Sequence, residues 1–323
     1  MIIRKAVITA AGRGVRLYPA ADSVQKAMLP FMDRDGVNKP VLQIIAEEAL
    51  DSGIEEICVV CAPGDEARYR DGFDLLRRNL LEAYRGVEWA TAQAERITNL
   101  LGRLHFAVQE EPLGYGHAVH RAKQFVAGEP FLLLLGDHLY ISEMPEKRCA
   151  QQLLELAATE ECAISAVHAT REHLIGAYGT VAGKRVGNAT GVYQIERIIE
   201  KPNISRAEME LQVPGLRAGY YLCFFGMHVL TPVLLDILEQ DILPQTRHGG
   251  QAQLTPALEI LAQRGKYLAL EVQGTRHDLG SRYGLLQTQL ALGLSGRDRD
   301  EVLTAILTVL AETTRRPAGL TRV

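Results

Sequence analysis

The sequence predicts an α/β protein with a mixed, mostly parallel central sheet covered by helices on both faces. Three observations carry this expectation. Continuous apolar runs at 57–61, 104–108 and 131–135 read as strands buried on both sides, because a half-exposed strand would alternate apolar with polar residues. Segments of helical period separate these runs, the alternation that a parallel sheet with right-handed crossovers requires. Beyond residue 160 the strand-like pieces follow one another across glycine-rich turns, so the sheet should continue there with mixed pairing.

Taken in order, 6–9 is a short β-rich run that ends in the glycine loop Ala10-Ala-Gly-Arg-Gly14. A second loop covers 30–39. In 40–52, Val41, Leu42, Ile44, Ile45, Ala49 and Leu50 share one helical stripe, with Pro40 suited to the first helical position and Gly53 to the C-cap. Helices are expected at 67–83 and 117–126, between the strands 57–61, 104–108 and 131–135. Strands follow at 163–169, 179–186, 191–199 and 218–225, helices at 231–240 and 255–264, and a strand at 267–272. Helices at 282–292 and 298–314 close the chain. No internal repeat is visible, and one domain over 1–292 with a helical tail at 293–323 is expected.

The 323 residues are 47% hydrophobic and 23% charged, which suffices for a sizeable core and is unlike a disordered chain. Lys and Arg total 35 against 39 Asp and Glu. That leaves no global basic field, so a nucleic-acid partner is not expected, whereas local cations can still hold a small phosphate-bearing molecule. No apolar stretch is long enough to cross a bilayer, and the N-terminus lacks the apolar core and cleavage site of a leader. An unprocessed cytoplasmic protein, not attached to a membrane, is expected. The five cysteines are odd in number and scattered. Cys58 and Cys61 form a C-x-x-C within an apolar run, but a strand puts residues three apart on opposite faces, so they read as core residues.

The loop Ala10-Ala-Gly-Arg-Gly-Val-Arg16 lets backbone N–H groups approach an anion at Gly12 and Gly14, yet it lacks the full glycine pattern of a dinucleotide fingerprint or a P-loop. Taken alone it is equally a tight turn. With Leu17-Tyr-Pro19 and Lys26-Ala-Met-Leu-Pro30 the chain resembles the sugar nucleotidyltransferases: Gly12, Gly14, Arg16, Pro19, Lys26, Met28, Leu29 and Pro30 match their N-terminal signature. Four further stretches line up with the bacterial uridylyltransferase branch. These are Gln109 with Gly114-Tyr-Gly-His-Ala118, then Ala177-Tyr-Gly179, Glu200-Lys-Pro202, and Gln253-Leu-Thr255 followed by His277-Asp-Leu-Gly280. The likeness covers most of residues 3–292.

The resemblance implies a Rossmann-like, GT-A-like nucleotidyltransferase fold with its catalytic domain in 1–292. It implies that a nucleoside triphosphate, UTP by the nearest likeness, passes its nucleoside monophosphate to a sugar 1-phosphate, glucose 1-phosphate by the same likeness, with release of pyrophosphate. Residue by residue, it assigns Ala11, Gly12, Gly14, Gln109 and Gly114 to the nucleotide. Tyr178, Gly179, Glu200 and Lys201 fall to the sugar phosphate, Arg16, Lys26 and Lys201 to catalysis, and Asp137 and Asp278 to Mg²⁺.

The residue types suit these roles. Asp137 follows an apolar strand and should stand at its carboxyl edge, where open α/β sheets bind ligands, although by pattern alone it is a turn or cap residue. Glu200-Lys-Pro202 by pattern alone is a solvated strand end. Within the resemblance its carboxylate suits hydroxyl donors and its ammonium suits a phosphate. The Gln109 amide offers a donor and an acceptor to the imide edge of uracil or thymine. His138 and His277 adjoin the two aspartates and are expected to be supporting or structural, since nothing else stands at zinc spacing.

Departures from the family pattern at Val15, Asp22, Gln25, Gln251 and Pro256, and a short insertion at 34–38, leave alternatives open: dTTP, another sugar 1-phosphate, or a catalytically silent nucleotide-sugar-binding regulator. Leu303, Ile306, Leu307 and Leu310 form a tail stripe that fits a homo-oligomer interface or intrachain packing equally.

Overall fold

The apolar runs enter one sheet in parallel, with 57–61 and 131–135 buried almost throughout, whereas 104–108, expected to be buried on both sides, lies at the sheet edge with His105 exposed and 106–108 partly buried. A computed structural model describes residues 1–12, 24–187 and 189–314. Its strands are β1 (Lys5–Thr9), β2 (Pro30–Met32), β3 (Asn38–Pro40), β4 (Glu56–Cys61), β5 (Leu104–Val108), β6 (Phe131–Leu135), β7 (His138–Ser142), β8 (Ala163–Arg171), β9 (Gly179–Arg185), β10 (Val192–Glu200), β11 (Tyr220–Leu230), β12 (Tyr267–Glu271) and β13 (Gly274–Asp278). The helices are α1 (Val41–Leu50), α2 (Asp65–Ala83), α3 (Glu88–Arg103), α4 (Tyr115–Arg121), α5 (Lys123–Val126), α6 (Cys149–Glu160), α7 (Ile204–Glu210), α8 (Val233–Ile237), α9 (Leu254–Arg264), α10 (Gly284–Ser295) and α11 (Arg299–Thr314).

Among the described residues the main sheet has nine strands in the order β5-β4-β1-β6-β11-β8-β12-β10-β9. β5, β4, β1 and β6 are all parallel. Beyond β6 the pairing is largely antiparallel, with β12 alongside β8 as a parallel pair. β11 also bonds to β9 through Leu222 and Cys223, so this end of the sheet curls back on itself.

Strand period two divides the core into two layers. Ile8, Cys61, Leu132 and Leu134 pack on one face with α1, α2, α3 and α6. Val7, Cys58, Phe131 and Leu133 pack on the other with α4, α8 and α9. Phe131 to Leu134 are each 0% exposed, and burying each such side chain contributes about 1.5–3 kcal/mol. Cys58 and Cys61 thus lie on opposite faces, and burial pushes both thiols up to about 12, which leaves them unreactive.

Several expectations are corrected. The 30–39 segment is a β2–β3 hairpin, tied down by Lys39, whose ammonium sits 2.7 Å from Asp33 and Asp35 and 2.9 Å from Glu47. Pro40 belongs to β3 and caps α1 instead of opening it, and Asp51 takes the C-cap. α3, α6, α7 and the β7–β13 ribbon had no counterpart in the sequence reading. α10 runs through residue 292, so the expected division at 292/293 falls within a helix. Leu303, Leu307 and Leu310 on α11 are 36%, 57% and 55% exposed.

β8, β11 and β12 meet at a buried polar cluster. Ser165 Oγ lies 2.5 Å from His228 Nδ1 and hydrogen-bonds the Tyr267 hydroxyl as well. Burial lowers the His228 pKa from 6.5 to about 3. The unfolded chain therefore takes up a proton that the folded chain refuses, so stability present above pH 6.5 is lost as the pH falls towards 3. His228→Gln should flatten this part of the stability profile in denaturant titrations. An unchanged acid slope in the variant would assign the effect elsewhere.

Candidate active site

The chain runs from β1 to β4 and β5 on one side, then returns to place β6 on the other side of β1. The carboxyl ends of β1 and β6 therefore flank a topological switch point, the crevice where α/β sheets bind ligands. Ala10, Ala11 and Gly12 leave β1 here, and Gly136 and Asp137 leave β6. The Gly136 N–H donates to the Thr9 carbonyl at 2.9 Å. A Cβ on Gly136 would lie 2.4 Å from that oxygen, so only glycine lets the two loops approach. Ala11 is partly exposed and Gly12 exposed at the mouth of the crevice. Gly14 and Arg16 lie outside the described residues, as do Val15 and Asp22.

Asp137 and Asp278, far apart in sequence, meet through the β7–β13 ribbon, in which Asp278 pairs with His138. Ligand atoms of Asp137, His138 and Asp278 all fall within 4.8 Å of one another. Lys26, on a single 3-10 turn at Lys26–Met28, places its ammonium 2.8 Å from Asp137 Oδ2, and His138 Nδ1 lies 2.8 Å from Asp137 Oδ1. Burial alone would raise the Asp137 pKa. The His138 hydrogen bond, with the charges of His138 and Lys26, holds it well below the usual carboxylate range.

Gly280 supplies the room. Its N–H donates to Asp278 Oδ1 at 2.6 Å. A Cβ there would lie 3.0 Å from Asp278 Oδ1 and Lys26 Nζ and 3.4 Å from Asp137 Oδ2, so a side chain would crowd the space between the two carboxylates and the lysine. Paired carboxylates beside a glycine that adds no side chain between them fit a hard divalent cation, with His138 as a neighbouring nitrogen.

On one flank lies Gln109, 7% exposed. Its Nε2 donates to the Gly114 carbonyl at 3.2 Å and lies 3.0 Å from His117 Nδ1. Burial lowers the His117 pKa, in keeping with a neutral ring whose Nδ1 accepts. With Nδ1 as the acceptor, both amide hydrogens are engaged among the described residues, and the oxygen is left to meet a base. This narrows the expectation of donor and acceptor together. Gly114 has φ +114°, and a Cβ on it would lie 2.6 Å from the Ala252 carbonyl oxygen, so glycine is required on both counts.

On the other flank, Glu200 at the end of β10 pairs with Gly179 at the start of β9. A Cβ on Gly179 would lie 2.7 Å from Phe224 and 3.0 Å from Glu200 Oε2. Thr255 donates to Glu200 Oε2 at 2.6 Å, and Lys201 Nζ lies 3.4 Å from Glu200 Oε1. The Lys201 N–H donates to the Tyr178 carbonyl at 3.1 Å, and Arg276 stacks on the Tyr178 ring. Pro256 is the third residue of α9, where no intrahelical acceptor waits for its missing N–H, which explains why the helix tolerates it. Gln251 is exposed and accepts from Gln253 at 2.8 Å.

Gly280, Thr255, His117 and Arg276 join the site without having been given a role from sequence, and His138, expected to be supporting or structural, lies against Asp137. Of these, Arg276 carried a readable signal, since residues two apart on a strand share a face and Arg276 precedes Asp278 by two.

Backbone loops, a cation and paired carboxylates at the switch point of an α/β sheet make a site for phosphorylated nucleotides. The nucleotidyl transferase family model matches residues 5–292, and the chain belongs to that family. It is 34% identical over 296 residues to the UTP–glucose-1-phosphate uridylyltransferase of Streptococcus pneumoniae serotype 4, covering 90% of this chain and 91% of that one. Among solved structures, a UDP-glucose pyrophosphorylase complexed with UDP-glucose is similar with a TM-score of 0.72 at 27% identity, over 90% of this chain and 98% of the other. The UTP-bound UGPase from Acinetobacter baumannii is similar with a TM-score of 0.77 at 28% identity, over 95% and 99%. Among the described residues no helix is long and apolar enough to cross a membrane.

Proposed function

We propose that this nucleotidyltransferase joins UTP and glucose 1-phosphate to give UDP-glucose and pyrophosphate. The observation that carries the reading is the convergence of Asp137, Asp278 and Lys26 at the switch point, between Gln109 on one flank and Glu200 on the other. Relatives with the corresponding names support the choice of nucleotide and sugar.

In this reading a phosphate oxygen of the sugar 1-phosphate attacks the α-phosphorus of UTP in line. The new P–O bond forms as the bond from the α-phosphorus to the bridging oxygen breaks, and the electron pair leaves with pyrophosphate. The attacking oxygen is already ionised, so no general base is needed, and the protein aligns the groups and balances their charge. Lys26 faces the phosphates near the reacting centre, with Arg16 and the Gly12–Gly14 backbone on the triphosphate and its leaving group. Ala11 and Gly114 line the nucleotide. Glu200 accepts from sugar hydroxyls, and Lys201 and the Gly179 backbone hold the sugar phosphate beside Tyr178. Asp137 and Asp278 would hold Mg²⁺, which supplies charge neutralisation at the transferring phosphoryl group.

The Gln109 oxygen, left as an acceptor, suits the N3–H of uracil or thymine. Cytosine presents an acceptor there, and a purine brings a larger ring. UTP ranks ahead of dTTP on the relatives' names alone. Residues 1–292 serve as the catalytic domain, and the last turn of α10 with α11 extends it at the C-terminal side. The exposed leucines of α11 support a homo-oligomer, and five buried free cysteines suit the reducing cytoplasm.

The test is pyrophosphate release from UTP, dTTP, CTP, ATP and GTP with a panel of sugar 1-phosphates. UTP with glucose 1-phosphate should be fastest, and CTP and the purines should fall about tenfold or more behind, because each polar group left unpaired costs about 1–3 kcal/mol. A clear purine preference overturns the Gln109 assignment and the uridylyl reading together.

A further inference from the structure

We infer that Arg276 binds the phosphate of the sugar 1-phosphate. This rests on the proposed reaction. Several arginines elsewhere in the fold hold carboxylates: Arg148 pairs with Asp51, and Arg197 with Glu210 and Glu259. Arg276 does not. It is partly buried in β13, and among the described residues its guanidinium makes no hydrogen bond or ion pair. What fixes it is the Tyr178 ring, over which its guanidinium carbon stands 3.7 Å from the centroid.

A planar cation clamped by one face on an aromatic ring keeps its N–H edge in the plane of the fork, free for an anion. The position names which anion. Arg276 and Asp278 stand two apart on β13 and so share one face of the ribbon. Tyr178 adjoins Gly179, which pairs with Glu200, and the Tyr178 carbonyl accepts from the Lys201 N–H at 3.1 Å. The guanidinium therefore bridges the sugar flank and the carboxylate pair, where the nucleophilic phosphate must lie if the sugar is held at Glu200. A fork of paired N–H donors can hold two phosphate oxygens while the third attacks, an orientation that a lysine ammonium does not impose.

Arg276→Ala and Arg276→Lys test this in the full-length protein. Expected for Arg276→Ala is a KM for glucose 1-phosphate raised about tenfold or more, unchanged UTP affinity in calorimetry and an unchanged melting temperature. Added guanidinium ion should restore part of its rate, a rescue that a packing role would not show. Arg276→Lys should recover charge but little of the KM. An unchanged KM in both variants overturns the inference, as does a loss of UTP affinity with sugar-phosphate affinity intact. Wild-type enzyme assayed in parallel separates the two levels. If it turns over and Arg276→Ala matches it, only the Arg276 role fails. If wild type uses no sugar 1-phosphate, the reaction itself is wrong and this role falls with it.

Discussion

Asp137→Asn and Asp278→Asn should each lower turnover by about a thousandfold, because the carboxylate pair carries several kcal/mol of charge stabilisation when a divalent ion is bound. Asparagine keeps the shape and removes the charge. Asp137 is held ionised by His138 and Lys26, so the wild-type rate through the ordinary assay range does not confuse protonation of this group with loss of the site. EDTA should abolish turnover and Mg²⁺ restore it. Asp137→Asn should also lower stability. Asp137→Asn takes the ionic partner from Lys26, whose side chain is 12% exposed, and stranding such a group costs about 1–3 kcal/mol. Asp278→Asn leaves that pair intact. Full turnover in EDTA, or near-normal rates in both variants, would remove the two-carboxylate site from the mechanism.

How far the sequence could be read depended on the range of the contacts. β4 and β6 were legible because Ile57 to Cys61 and Phe131 to Leu135 carry their own signal of burial on both faces, and β5 was legible as a strand although its place at the sheet edge leaves His105 exposed and Phe106 to Val108 partly buried. The position of Asp137 at a strand's carboxyl end followed from that. β2 and β3 were not legible: each has three residues, Pro30 and Pro40 stand at their outer ends, and the hairpin depends on Lys39 reaching Asp33, Asp35 and Glu47. Asp278 was placed beside Asp137 by resemblance alone, since the β7–β13 register that joins them is a long-range pairing with no local mark. The same limit hid Thr255 on Glu200 and Arg276 on Tyr178. α3, by contrast, is written locally, since Ala90, Gln93, Ala94, Ile97 and Leu100 repeat at helical spacing and are buried.

Lys26 separates two roles that ordinary kinetics would merge. Its turn is held by the Leu29 N–H donating to the Lys26 carbonyl at 3.2 Å and by the Val41 N–H donating to Leu29 at 3.0 Å, with Ala27 buried beneath. The ammonium therefore has a fixed origin, and its 2.8 Å contact with Asp137 balances that carboxylate before any nucleotide arrives. In the proposed reaction the same ammonium faces the phosphates. Lys26→Ala should thus move two measurements in opposite directions. Turnover should fall by about a hundredfold, from a lost charge-assisted phosphate contact of roughly 1.5–3 kcal/mol and its share of transition-state charge. Affinity for Mg²⁺ or Mn²⁺ without nucleotide should rise by about tenfold, because the competing cation beside Asp137 is gone. Lys26→Arg should return metal affinity towards wild type while recovering only part of the rate, since a planar fork does not reproduce a compact ammonium. Calorimetry of the metal against the nucleotide-free protein, with initial rates alongside, decides it. If Lys26→Ala loses metal affinity together with turnover, Lys26 supports the fold of the metal site and does not act on the phosphates. If its turnover is unchanged, the residue has no part in the chemistry.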